Sequence, residues 1–238
     1  MMRKRVLTHE RQSHLIELAE SVADFFFPET WIDPEHLFQK HSVTLSFNDY
    51  GNFFDGMLQC KSRRFHVFCN LARVESSTSV RARFTLAHEF GHFFIDEHRN
   101  ALLSGRVPAH PSFCDRPDSE IVVEKEADLF AAHLLAPSAR VAKAVNFAYP
   151  SIDQVRKLQS TFKISFQSAA IRVVEGATVP CACVMWRQDG KVWGQPNRHM
   201  ENMALQKNLW VNANRFDGGC APPNPAPLAA AGVRGELG

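Results

Sequence analysis

The strongest constraint on this chain is five residues long. His88-Glu89-Phe90-Gly91-His92 reads H-E-x-x-H inside a run of helical periodicity from about Ser79 to Glu97. On an α-helix, residues four apart lie one turn along and about 40° around the axis, so both imidazoles share a face. That face suits a zinc ion, which takes histidine nitrogens at about 2.0 to 2.1 Å and leaves the intervening glutamate beside the metal as a general base. A fold built around such a helix must bring a second element against it, because a catalytic zinc needs a third protein ligand and an open position for water.

Two residues compete for that third place. The helix expected over Glu120 to Ala136, stopped by Pro137, has a core-facing stripe of Ala127, Ala131, Leu134 and Leu135, with Glu124 and Asp128 on the same side. Burying a carboxylate costs several kcal/mol unless a cation or donor compensates, and a metal ion compensates. Glu124 is therefore expected to ligate. Asp128, one turn later, is placed to accept the other ring N–H of a ligand histidine and fix its tautomer. His98 is the rival, because H-E-x-x-H-x-x-G-x-x-H also carries a histidine at that distance. The helix-breaking glycine of that pattern is replaced by Ile95, and a continuing helix would turn His98 about 120° away from His92. Glu126 and His133 point away from Glu124 and are expected on a solvated face. Spacing identifies no oxyanion-stabilising side chain at either tyrosine, Tyr50 or Tyr149, and leaves His98 as the only suggestion.

Composition is that of a globular protein: 238 residues, 45% apolar and 22% charged, with 12 Gly and 13 Pro. The 27 basic and 25 acidic residues leave a formal charge of +2, which gives no global reason for nucleic acid or an anionic membrane as partner. No apolar run reaches the roughly 18 residues of a membrane span. The basic start, Met1 to Arg5, is followed by no apolar region or small-residue cleavage site, so no secretion signal is expected. Six dispersed cysteines without a C-x-x-C spacing are expected to be free thiols in a reducing cytoplasm.

Along the chain, amphipathic helices are expected over Thr8 to Phe27 and Pro34 to Lys40, the latter capped by Asp33. Strands follow at Val43 to Phe47 and Phe65 to Cys69, with a turn at Asp55-Gly56, and residues 99–119 read as a surface loop. From Ser151 two short helices form a hairpin around Thr161 to Ile164, and Val179 to Trp186 with Lys191 to Trp193 form a β-hairpin across Asp189-Gly190. The expected fold class is α+β: a small metal-binding domain of helices and a short sheet over 1–150, a helix-turn-helix-like segment over 151–176, a small β-containing segment over 177–217 and a disordered tail over 218–238.

Arg83-Phe84-Thr85-Leu86-Ala87-His88-Glu89-Phe90-Gly91-His92 and Glu124 through Pro137 closely resemble the two signature blocks of the ImmA/IrrE family of metallopeptidases. The resemblance extends weakly over about residues 10 to 175. It implies a minimal zincin fold, zinc ligands at His88, His92 and Glu124, and Glu89 as the catalytic glutamate. Phe90, Ala136 and Asp128 depart from residues common in the family, and none of the three is a mapped ligand. The resemblance implies a zinc-dependent regulatory endopeptidase, with manganese as the alternative ion, cleaving a transcriptional repressor in a phage, mobile-element or stress-response circuit. The alternative from another class is a metal-sensing DNA- or protein-binding regulator without peptidase activity, using residues 151–174. Its basic residues Arg156, Lys157, Lys163 and Arg172 are few for a phosphate footprint, and packing is the favoured role for that segment.

Overall fold

The computed structural model describes residues 7–28, 31–107, 109–113, 122–186 and 192–206. The chain forms two compact units that divide between Val179 and Pro180. The helical pair expected as a separate segment falls within the first of them.

The first unit opens with α1 (His9–Phe26), capped by the Thr8 side chain, and α2 (Pro34–Lys40), capped by Asp33 with proline at the first turn. A four-stranded sheet follows, in the order β1-β3-β2-β4. β1 (Thr44–Asn48) runs parallel to β3 (Arg64–Asn70) with Leu45 opposite Val67, while β2 (Gly56–Lys61) is antiparallel to both β3 and β4 (Ala109–Ser112). The short α3 (Leu71–Val74) leads to the central helix α4 (Val80–Phe94), which packs on β2 and β3. Ser79 caps α4 by accepting from the Ala82 amide. α5 (Asp96–Leu103) and α6 (Val122–Leu135) complete the surroundings of α4, and α7 (Ser138–Ala144), α8 (Ile152–Phe162) and α9 (Phe166–Gly176) follow. Leu58 and Val67 from the sheet, Leu86 and Phe90 from α4, Phe130 and Leu134 from α6, Leu15 from α1 and Phe38 from α2 are all sealed from solvent. Phe90 meets Phe38 edge to face at 4.9 Å.

Two expectations about the sheet are corrected. Asp55-Gly56 is no turn: Asp55 is fully buried, accepts from Arg73 Nε at 2.5 Å and Arg81 Nη2 at 2.9 Å, and leads directly into β2. The turn of the β2–β3 hairpin is Ser62-Arg63, whose φ values of 51° and 61° are those of a primed two-residue turn made without glycine. The second correction is to the loop over 99–119, which begins inside α5 and contains β4.

The α8–α9 pair turns at Lys163, in the left-handed region with φ 50°. Val155, Leu158, Phe162, Ile164, Ala169, Ala170 and Val173 are buried, as a packed hairpin requires. Arg172 is buried too, donating to the Ala136 carbonyl at 2.9 Å and the Ser138 hydroxyl at 3.0 Å, and Lys163 Nζ stands 4.2 Å from the centre of the Trp31 ring. Two of the four basic residues in this pair are thereby engaged within the unit.

In the second unit β5 (Ala182–Trp186) pairs antiparallel with β6 (Val192–Pro196) and leads to α10 (Arg198–Gln206). Asn197, 2% exposed, joins them: its side chain accepts from the Cys181 amide at 3.2 Å and the Met200 amide at 3.0 Å. The turn at Asp189-Gly190, the side chains of Trp186 and Trp193 and the tail at 218–238 lie outside the described residues. Among those described, no helix is long and apolar enough to cross a membrane.

Candidate metal centre

The α4 helix carries His88, Glu89 and His92 toward two different neighbours. His88 and His92 face α6, and Glu89 faces the sheet at β2. Both approaches depend on a missing side chain. A Cβ on Gly91 would stand 3.2 Å from the Ala127 Cα and 3.2 Å from Phe130 Cδ1, so glycine lets α6 come close to α4. A Cβ on Gly56 would stand 2.5 Å from Glu89 Oε1 and 2.5 Å from Thr85 Cγ2, so glycine at the head of β2 makes the space that Glu89 occupies.

The close approach of α6 brings Glu124 between the two imidazoles. His88 Nε2 and His92 Nε2 are 3.1 Å apart, and Glu124 offers Oε2 at 3.6 Å from the first and Oε1 at 3.4 Å from the second. A tetrahedral ion with metal–ligand distances of about 2.0–2.2 Å holds its ligand atoms about 3.3–3.6 Å apart. The three donors therefore fit one ion of that size, and two imidazoles with one carboxylate are a donor set that suits zinc. Among the described residues they are the one group of three metal-ligating side chains assembled this closely.

The electrostatics ask for a cation. Glu89 is fully buried, and the Glu124 side chain is only 12% exposed. Burial pushes His88 down, yet its hydrogen bonds with Asp128 and Glu124 outweigh that and raise it to about 10. Two carboxylates, Asp128 and Glu124, stand against this buried ring, and a metal ion is a cation that such a cluster can take. Burial, and after it the charge of Glu89, pushes the nearby Cys69 thiol up to about 12, so this cysteine stays a neutral wall of the site.

Asp128 lies where sequence spacing puts it, its Oδ1 2.8 Å from His88 Nδ1. His98 does not lie where an unbroken helix would put it. The α4 helix stops at Phe94, Ile95 is extended at φ −71° and ψ 112°, and α5 restarts at once with Asp96 and Glu97 in its acidic first turn. The break folds His98 back so that its Nδ1 is 3.1 Å from His92 Nδ1, on the far side of that ring from Glu124. It stands behind a candidate ligand instead of completing the cluster, its two ring nitrogens turned to His92 and Glu126. Tyr149 is 75% exposed.

Glu126 and His133, expected on a solvated face of α6, are 7% and 5% exposed. The reason is α1, which covers the side of α6 opposite α4. Arg11 donates from Nε and Nη2 to the two oxygens of Glu126 at 2.8 Å each, and Glu20 pairs with His133 at 3.0 Å. These contacts were invisible to helix periodicity, which shows that a residue leaves one face but not that another helix waits on the next.

Residues 63–174 match the family model for the IrrE N-terminal-like domain, Peptidase_M78. A search of curated proteins finds no match. Solved structures similar to this chain include a Mycobacterium tuberculosis transcriptional regulator, 12% identical with a TM-score of 0.50. The alignment covers 79% of this chain and 58% of that one, so the chain spans little more than half the length of that structure, and the likeness is one of fold. With its H-E-x-x-H helix and its converging His88, His92 and Glu124, the matched segment, residues 63–174, is similar to the IrrE N-terminal-like domain of the Peptidase_M78 family.

Proposed function

We propose that this protein is a metal-dependent endopeptidase, with His88, His92 and Glu124 as ligands of a zinc ion and Glu89 as its catalytic base. The observation that carries the reading is the convergence of the three donor atoms on one ion-sized position while the fully buried Glu89 stands on the neighbouring face of the same helix. When bound, the ion supplies Lewis-acid polarisation of the scissile carbonyl and a water of lowered pKa. Glu89 takes a proton from the attacking water at a carboxylate oxygen and delivers it to the leaving amine nitrogen as the peptide bond breaks. Dry packing around Gly56, Thr85 and Cys69 keeps the carboxylate's orientation fixed. Asp128 holds the Nδ1–H of His88 and so keeps the Nε2 lone pair of that ring toward Glu124. Manganese is the alternative ion.

The substrate in this reading is a protein, and the resemblance of the two signature blocks supports a transcriptional repressor in a phage, mobile-element or stress-response circuit. The reading assigns the protein to the cytoplasm, which the free thiols at Cys60, Cys69, Cys181 and Cys183 support. DNA binding through α8 and α9 is disfavoured by the interior engagement of Arg172 and the stacking of Lys163 on Trp31.

The test is cleavage of a proteome-derived peptide library by the zinc-loaded protein, beside Glu89→Gln. The expected result is cleavage by the wild type and none by Glu89→Gln, with zinc retained in both. Equal cleavage by the two would overturn the mechanism, and salt-dependent duplex binding without any cleavage would favour the regulator.

A further inference from the structure

The His92 ring has two nitrogens with opposite surroundings. Nε2 faces His88 and Glu124, whereas Nδ1 faces the Nδ1 of His98, 3.1 Å away. His98 is 8% exposed, and its own Nε2 lies 2.9 Å from Oε2 of Glu126. Glu126 in turn is clasped by Arg11, which places one N–H on each carboxylate oxygen and reaches Glu97 with its remaining donors at 3.1 Å. Four elements thus contribute to one line of contacts: Arg11 from α1, His98 and Glu97 from α5, Glu126 from α6 and His92 from α4.

The order of hydrogens along that line follows from its far end. A guanidinium has only donors, so the Glu126 carboxylate clasped by it serves as an acceptor. Glu126 then accepts from His98 Nε2–H. A neutral imidazole with its hydrogen on Nε2 presents a lone pair at Nδ1, and this lone pair accepts from His92 Nδ1–H. His92 is left with its Nε2 lone pair directed toward Glu124 and His88, the arrangement that a metal ion requires.

We propose that Arg11, Glu126 and His98 are positioning residues that lock His92 in the tautomer and orientation able to bind metal through Nε2. The proposal rests on the reading of His88, His92 and Glu124 as ligands. It makes α1, which precedes the matched domain in sequence, a working part of the centre. It also gives the two candidate ligand histidines different supports: a direct carboxylate, Asp128, behind His88, and a carboxylate relayed through an imidazole behind His92.

The experiment measures zinc dissociation constants of the full chain by chelator competition, for wild type, His98→Leu and His98→Asn, with thermal melting of each metal-free protein alongside. Losing such a support typically weakens metal binding about 10–100-fold. That weakening is expected in His98→Leu, whereas His98→Asn, whose side-chain oxygen can stand near the former Nδ1 and accept from His92, recovers most of it. A general packing defect would instead lower both variants according to their melting temperatures. On zinc-loaded, histidine-labelled wild type, nitrogen NMR should show His92 ligated through Nε2 with a slowly exchanging proton on Nδ1. Ligation through Nδ1, zinc affinity in His98→Leu within about twofold of wild type, or no recovery in His98→Asn would each overturn the relay and leave the metallopeptidase reading standing. A wild type that takes up no zinc would overturn that reading and the relay with it.

Discussion

In the metallopeptidase reading, Gly56→Ala isolates the proposed base, Glu89, from the proposed metal ligands. The added methyl would come within 2.5 Å of Glu89 Oε1, 2.5 Å of Thr85 Cγ2 and 3.0 Å of Glu89 Cγ, whereas carbon atoms in ordinary contact sit about 3.5–4.0 Å apart. Close to 1 Å of movement is therefore needed. Thr85 is β-branched, buried and on a helix, where its rotamer is restricted, so the movement falls on the Glu89 carboxylate or on β2. A misplacement of about 1 Å in a catalytic group costs on the order of 10²-fold in rate, or about 2.7 kcal/mol of barrier. The three atoms nearest the added methyl belong to Glu89 and Thr85, not to His88, His92 or Glu124, so metal binding should persist. Cleavage rate and metal content, measured on the same preparation, are expected to show a roughly hundredfold loss of rate with full metal occupancy. Wild-type rate in Gly56→Ala would refute the reasoning that the space at Gly56 fixes the Glu89 carboxylate, and joint loss of metal and rate would show that the two halves of the site are not separable.

Gly91→Ala should do the reverse: its methyl meets the α6 backbone at Ala127, pushes Glu124 outward and weakens zinc binding, which chelator competition would detect as a raised dissociation constant. Glu20 sets an acid limit. Burial opposes its charge, but the bonds from His133 and Ser138 win and hold its carboxyl at about 2 against an ordinary 4.5. A depressed carboxyl stabilises the fold fully above its unfolded value, so stability should fall between about pH 4.5 and pH 2 by about 2 kcal/mol, after discounting for its partial exposure. Urea midpoints of Glu20→Gln should be lower than wild type at pH 7 and converge with it near pH 2. Asp55→Asn leaves Arg73 and Arg81 without their shared buried anion, and a drop of about 2–3 kcal/mol in unfolding free energy is expected from chemical denaturation.

Where local signals and tertiary packing agree, the sequence was legible. Thr8, Asp33, Ser79 and Ser151 all cap the helices they were expected to begin or precede, because side-chain capping is a local bond that the next three residues decide. The convergence of His88, His92 and Glu124 was legible for a related reason: His88 and His92 share a helix turn, and Glu124 was an expensive carboxylate to bury without a cation, whereas Asp128, expected beside it on the core-facing side, keeps its side chain 38% exposed. What was lost involved partners distant in sequence or turns made by unusual residues. Ser62-Arg63 adopts positive φ without glycine or asparagine, so β2 had no visible end. The α4 helix breaks at Ile95, where no proline or glycine marks it, and the only local trace is the acidic pair Asp96-Glu97 that opens α5. Glu126 and His133 read as solvated because α6 is covered on two sides, and the complementary residues Arg11 and Glu20 sit more than a hundred positions earlier.

The central claim is that His88, His92 and Glu124 together hold one metal ion with Glu89 beside it. Elemental mass spectrometry after mild chelator washing, on wild type, Glu124→Ala, His98→Ala and Glu89→Gln, tests it most directly. The account predicts one equivalent of metal in wild type and Glu89→Gln, loss in Glu124→Ala, and weakened but detectable retention in His98→Ala. Full retention in Glu124→Ala with loss only in His98→Ala would contradict it, as would a wild type that carries no metal.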